Sequence, residues 1–446
     1  MKLKRKVSRL KLPHSKHTAG VASVPVAPPE EVLIPMSMHS GGPAIPVVAV
    51  GDHVFLGQLI AREDGAISSP VYASVSGTVS AIESIKLSSS GRRMDAIRIK
   101  SDGKMEKDPN ITLPEAHDLD SFLAAVQKSG IVGLGGAAFP LWKKLEAARN
   151  NPVHTVLVNG AECEPFITSD HREMLEHSES IAKGVELLRE YLKAEEFIFG
   201  IENNKPDAIE HLQKVFAVDP SVKIMPLESV YPQGARQVLL YNATGKVVQP
   251  GQRLASLGVI VINVTSLSKM GQYFIDGMPL VDRCVTVDGS AIKNPGNYVA
   301  PIGTSVGYLI EQAGGFNCPA GKVIIGGPMM GKTTVDLNEP IVKATGAVLA
   351  FNEKDSAQME PTACLRCGRC VENCPVGLDP TAFARALEIE DEAEKVAALD
   401  KAHIKNCMEC GCCSYVCPAH RPLVQNNREG LALSKKAARA KKEGGK

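Results

Sequence analysis

No sign of charge dominates this sequence. Its 446 residues carry 50 lysines and arginines against 49 aspartates and glutamates, a formal net charge of +1, so the balance gives no reason to expect nucleic acid as a partner. Long hydrophobic runs are missing as well. The longest, LGVIVINV at 257–264, falls far short of the about 20 residues a transmembrane helix needs. The N-terminal MKLKRKVSRLKLPHSKH is basic with no apolar stretch behind it, which is not a secretory signal. The basic residues at the two ends, Lys2, Lys4, Arg5 and Lys6 within 1–28 and Lys435, Lys436, Arg439, Lys441 and Lys442 within 431–446, are expected to be solvated tails. No disulfide framework is present either. Of the 12 cysteines, only Cys163, Cys284, Cys318 and Cys412 lie outside two dense runs, and they are spread apart, which fits a reducing cytoplasm.

The two runs carry the strongest signal. Cys364, Cys367, Cys370 and Cys374 stand in the spacing C-x2-C-x2-C-x3-C-P, and Cys407, Cys410, Cys413 and Cys417 repeat it. This is the bacterial run that holds 4Fe–4S cubes in two-cluster ferredoxins, where the fourth cysteine crosses to the other cluster. The expected ligand sets are Cys364, Cys367 and Cys370 with Cys417, and Cys407, Cys410 and Cys413 with Cys374. Paired zinc ribbons are the rival reading. Zinc needs neither the third C-x2-C step nor the trailing C-x3-C-P, and here both occur twice. Cys412 falls outside the repeat and is expected to be a small residue packed beside a cluster.

The rest of the chain reads as several domains. Residues 29–108 alternate β-branched residues with glycine turns, in the manner of a barrel-sandwich. The stretch from Arg62 to Pro70 has no lysine for a carried group, so this domain is expected to be structural. Over 109–270 helix and strand patterns alternate (Asp118–Ser129, TVLVNG, FIFGI, PDAIEHLQKVFA, LGVIVINV), which predicts a parallel α/β sheet. Residues 271–350 mix short strands with one helix, like a β-grasp. In 351–430 the cysteine runs flank a helical segment that opens on Asp379 and Pro380 as N-cap and first-turn proline. A multidomain α/β protein is the expected fold class.

A second site is readable upstream. In GIVGLGGAAFPLWKK, Gly133, Gly135 and Gly136 let backbone N–H groups approach an anion, and Lys144 can add a point charge at the head of a helix. Further on, NGAECEP sets Asn159, Glu162 and Glu164 at a strand end, where open α/β sheets bind ligands. GGPMMGKT at 326–333 matches the P-loop pattern with Lys332 and Thr333, but Pro340 denies it the following helix, so no nucleotide hydrolysis is expected there.

These segments together are similar to the C subunit of the Rnf electron-transport complex, whose flavin domain is related to the FMN subunit of respiratory complex I. HSGGPAIPVVAVGD with SPVYASVSGTV resembles its N-terminal barrel, GLGGAAFPLWKK its flavin-phosphate loop, and NGAECEP its isoalloxazine-side strand end. YPQGARQVLL and INVTS resemble flavin-lining segments, VTVDGSAIKNPGNYVAPIGT its SLBB module, and CGCCSYVCPAHRPLVQ its second cluster motif. The resemblance implies FMN contacts at Gly133, Gly135, Gly136, Ala137, Lys144, Asn159, Glu162, Tyr231, Gly234, Asn263 and Thr265. It places Phe139 and Glu164 beside an NAD(H) pocket.

The activity so implied passes electrons between NAD(H) and ferredoxin through FMN and two 4Fe–4S clusters. The chain would be a peripheral subunit on the cytoplasmic face, partnered by the membrane and peripheral subunits of an ion-translocating complex. After YPQG, where the family carries an acidic residue, this chain has Ala235 and Arg236. A soluble cobalamin-reductase-like flavoprotein, or an electron-transfer adaptor without a working dinucleotide site, are the alternative readings.

Overall fold

The computed structural model describes residues 10–249 and 251–443. At its centre stands a sheet of four parallel strands, in the spatial order Val222–Leu227, Glu196–Glu202, Thr155–Gly160 and Val259–Asn263. The two-residue period of these strands sorts their side chains into two cores. Val156, Val158, Phe197, Phe199, Ile260 and Ile262 face one side, while Leu157, Ile198, Val259 and Val261 face the other with Leu239 and Leu240 of the helix Arg236–Thr244. Each fully buried side chain of this kind contributes about 1.5–3 kcal/mol. Against the first face the helices Ser178–Leu192 and Val264–Asp276 cross closely. A Cβ on Gly271 would overlap the carbonyl of Ser180, so only glycine permits the crossing. The chain leaves Thr155–Gly160 toward one sheet edge and later returns on its other side, putting the topological switch point between this strand and Val259–Asn263.

The N-terminal domain is a sandwich of a four-stranded and a three-stranded sheet. Val32, Ile34, Ile60, Val71, Val79 and Ile97 meet in its core with no exposed surface. Strands Leu59–Arg62 and Val71–Tyr72 form the lysine-free hairpin expected there. The β-grasp region is a six-stranded mixed sheet with one helix, Val306–Gln312, capped by the Ser305 hydroxyl.

Neither end behaves as a tail where it is described. Residues 10–28 lie over the other domains: Leu10 bridges to Tyr231, and Ser23–Pro25 adds a parallel strand to the β-grasp sheet. Apolar residues such as Leu12 and the basic Lys16 itself tie this strap down, which counting charge could not reveal. Lys2, Lys4, Arg5 and Lys6 lie outside the described residues. At the other end a helix runs from Leu423 to Glu443, with Leu431 buried and Ser434 donating to Asp400.

In the C-terminal region the two cysteine runs share one backbone shape. Arg366 and Glu409, two residues into each run, have φ of 53° and 56°, and Gly368 and Gly411 have φ of 76° and 79°. Each glycine opens a single helical turn, Arg369–Glu372 or Cys412–Tyr415. Between them lie Pro380–Leu387, capped by Asp379 as expected, and Glu392–Lys401.

Candidate functional site

Asn159 and Asn263 are register partners at the C-terminal ends of the two strands that border the switch point. Asn159 donates to the carbonyl of Gly234 and accepts from the N–H of Ala161. Asn263 caps its helix through Ser266 N–H and donates to the Asp170 carboxylate, which also accepts from Thr265 Oγ1. Asn159, Gly234, Asn263 and Thr265 are thereby brought together. Asp170 and Ser266, which sequence reasoning passed over, tie them in place.

The glycine loop reaches this spot from the preceding helix. Gly133 N–H donates to Phe139 O and Ala138 N–H to Gly133 O, closing the loop on itself. Gly135, Gly136 and Ala137 form its exposed tip, and their N–H groups take no partner among the described residues. A Cβ on Gly135 would stand 3.2 Å from Asn263 Nδ2, so the tip lies against the strand end. The following helix, Leu141–Leu145, is too short and starts too late to lend the tip its dipole, contrary to the sequence expectation. The loop's own amides are the donors that a phosphate would meet there, and they fit one. Lys144 stands beneath, donating to Val261 O, and burial together with the Arg236 charge pulls its ammonium down to about 8.

The acidic strand end is more enclosed than an exposed pair of carboxylates. Burial pushes the Glu162 carboxyl up, and its Oε1 accepts from Asp170 N–H at 2.6 Å. Glu164, expected beside the dinucleotide, gives both oxygens to the N–H groups of Met329 and Met330. Those amides belong to the P-loop-like run, whose Gly327 sits so close to Glu164 that no side chain fits there. A strand, Lys332–Thr334, follows in place of a helix, as expected. Phe139 stands half-buried on the glycine loop.

Tyr231, expected as a flavin contact, makes a bond to the cluster region that the sequence did not announce. It is buried, and its hydroxyl donates to the carbonyl of Cys410 at 2.8 Å. Around it Leu12, Cys410 and Cys412 pack with Cys163, Met329 and Met408, so Cys412 is indeed a packed residue beside the second run. Cys374, Cys407, Cys410 and Cys413 line one cavity, together with Leu378, Phe383 and Asn427. Asn427 Nδ2 lies 3.6 Å from Cys407 Sγ and 3.7 Å from Cys413 Sγ. Backbone N–H groups also point at sulfur: Arg366 on Cys364, Glu409 on Cys407 and Leu378 on Cys374. At Cys407 and Cys374 these donors work against burial, which pushes both thiols up. Cys370 packs with Cys413 and Cys417, whereas Cys364 and Cys367 are exposed. The sulfur-only donor set and its cavity fit iron–sulfur cubes.

Comparison with known proteins agrees with this geometry. Family models match along the chain: the RnfC barrel sandwich hybrid domain at 9–104, the Nuo51 FMN-binding domain at 126–272, the SLBB domain at 284–333 and the 4Fe-4S dicluster domain at 360–421. The fold therefore comprises the barrel-sandwich, FMN-binding, SLBB and ferredoxin-like domains that the sequence implied. A solved NAD+-reducing [NiFe]-hydrogenase matches over 71% of this chain and 62% of its own, with a TM-score of 0.50 and 20% identity, a likeness of fold. The C subunit of the Na(+)-translocating ferredoxin:NAD(+) oxidoreductase complex of Acetobacterium woodii is 40% identical, over 83% of this chain and 85% of that protein. The C subunit of the proton-translocating complex of Clostridium ljungdahlii is 38% identical, over 82% and 80%. No helix among the described residues is long and apolar enough to cross a membrane. With relatives this similar along most of both chains, the protein belongs to the family of C subunits of ion-translocating ferredoxin:NAD+ oxidoreductase complexes.

Proposed function

We propose that the chain is the peripheral subunit, on the cytoplasmic face of the cell membrane, that passes electrons between NAD(H) and ferredoxin within such a complex. Its direct partners are the membrane and peripheral subunits, and ferredoxin is reached through them. The observation that carries this reading is the Tyr231 hydroxyl on the Cys410 carbonyl, which joins the flavin-lining segment to the wall of a cysteine cavity without a linker. FMN bound at the glycine loop would supply the exchange between the two electrons of a hydride and the single electrons that each cube carries. The amides of Gly135, Gly136 and Ala137, with Lys144 nearby, would hold its phosphate, while Asn159, Gly234, Asn263 and Thr265 orient the ring. Phe139 and the Glu164 side of the site would face the dinucleotide. The cavity wall supports crossed ligation, Cys374 completing the set of Cys407, Cys410 and Cys413, and Cys417 completing that of Cys364, Cys367 and Cys370.

Anaerobically purified protein is expected to contain one FMN and about eight irons per chain, and NADH should bleach the flavin before the clusters. Gly135→Val, which pushes a branched side chain toward Asn263 and the phosphate position, should lose flavin and keep its iron. Stoichiometric zinc in place of iron overturns the relay. Flavin retained in Gly135→Val overturns the loop assignment.

A further inference from the structure

Lys16 enters the acidic loop from the N-terminal strap, 146 to 151 residues away in sequence. Its Nζ donates to the carbonyls of Glu162 at 2.8 Å, Glu164 at 2.9 Å and Ile167 at 2.5 Å. A lysine ammonium has three donors, and here each meets one carbonyl of a single loop. The side chain is only 11% exposed, and Glu162 Oε2 lies 4.0 Å away with no nearer partner. Lys205, also buried, completes the underside by donating to the carbonyl of Ala161 at 2.8 Å. Four carbonyls of residues 161–167 thus turn toward two buried ammonium groups. Glu162 and Phe166 adopt φ of 47° and 71° in this loop, the left-handed region that non-glycine residues enter only at a cost.

From the loop a continuous set of contacts leads to the glycine tip. Glu162 Oε1 accepts from Asp170 N–H, Asp170 Oδ2 accepts from Asn263 Nδ2 at 2.8 Å, and Asn263 abuts Gly135. We propose that Lys16 is a positioning residue for the cofactor site, holding the Ala161–Ile167 loop, and through Glu162 and Asp170 the side chain of Asn263, in the arrangement that receives FMN. Stability is part of its role, because losing Lys16 alone strands three loop carbonyls beside a buried carboxyl. What three matched donors supply is geometry. The inference rests on the proposed FMN site.

Lys16→Met keeps the stem and removes the charge, and Lys16→Gln keeps a neutral donor. Flavin-stripped full-length protein is titrated with FMN by fluorescence quenching, well below its melting temperature, with the cluster EPR signals as the control for folding. Lys16→Met is expected to retain both cluster signals and to bind FMN about 10-fold or more weakly, on the scale of one lost charge-assisted hydrogen bond. Lys16→Gln should fall between it and the wild type. Adding Glu162→Gln to Lys16→Met should not restore binding, because the lost partners are carbonyls; full restoration would make Lys16 a counter-ion only and overturn the proposal. An affinity within about twofold of wild type in Lys16→Met, or in Lys16→Gln should Lys16→Met fail to fold, also overturns it. Failure of the wild type itself to bind FMN would instead remove the cofactor reading on which the inference depends.

Discussion

Tyr231 and Cys410, 179 positions apart, meet through one buried hydrogen bond between a phenol and a backbone carbonyl. The bond places the cis-proline segment after Val230 against the turn that presents the second cysteine run. It is a direct link between the flavin domain and the cluster domain. Tyr231→Phe keeps the ring but strands the Cys410 carbonyl, at a cost of about 1–3 kcal/mol. The variant should retain flavin and iron yet pass electrons more slowly from flavin to the clusters. Stopped-flow absorbance that separates flavin bleaching from cluster reduction measures this, and wild-type rates for both phases would show that the bond is only structural.

Cys374→Ser tests the crossed ligation. Cys374 lines the same cavity as Cys407, Cys410, Cys412 and Cys413, so with the proposed crossing the second-run cluster should be lost or altered while the first-run cluster persists. EPR of the reduced variant, compared with Cys417→Ser, distinguishes the two. Damage confined to the first-run cluster in Cys374→Ser contradicts the crossing.

Arg236 is exposed at the first turn of its helix, and its charge reaches Lys144. Two cations beside the glycine loop favour phosphate over the ribose hydroxyls that an acidic residue would engage. Arg236→Glu is therefore expected to raise the rate of flavin reduction by NADH and to lower that by NADPH. Equal rates in all four combinations of variant and nucleotide would show that Arg236 does not meet the dinucleotide.

Burial pushes the Glu164 carboxyl from 4.5 up to about 7, against the two backbone donors that lower it. A carboxyl raised on folding binds its proton more tightly in the folded state. Its stabilising contribution is therefore full below about 4.5 and lost as pH rises through about 7. Glu202, raised likewise by burial, adds to the same trend. Melting temperature should fall between pH 5 and 8, and Glu164→Gln should flatten that fall by the equivalent of about 1–3 kcal/mol. Identical slopes in the two proteins would remove Glu164 from the titration.

The parts of this molecule that were legible in the sequence are those whose signal is local. The cysteine spacing announces its chemistry within a dozen residues, and TVLVNG and LGVIVINV announce buried strands. Asp379 and Pro380 announce a helix start. The rest depends on partners far along the chain. Lys16 sits in a basic stretch where nothing nearby distinguishes a buried ammonium from a solvated one. The bond from Tyr231 to Cys410 had no sequence signal, because a motif does not show which of its side chains reaches another domain. Lys343, fully buried and bound to Ser69, Pro70 and Gly130, had no sequence signal either, since its acceptors come from two other domains.

The glycine run at 326–331 has a consequence of its own. It receives Glu164 of the flavin domain through Met329 and Met330, while Met330 O accepts from Arg428 and Gly411 closes against Met329. Three domains therefore touch within one short turn, and the carboxyl that its amides hold is built into the protein. A phosphate arriving there would first have to displace a side chain that the chain itself holds in place. The run behaves as a rivet occupied by the protein's own side chain, pinning flavin, SLBB and cluster domains to one another through backbone contacts.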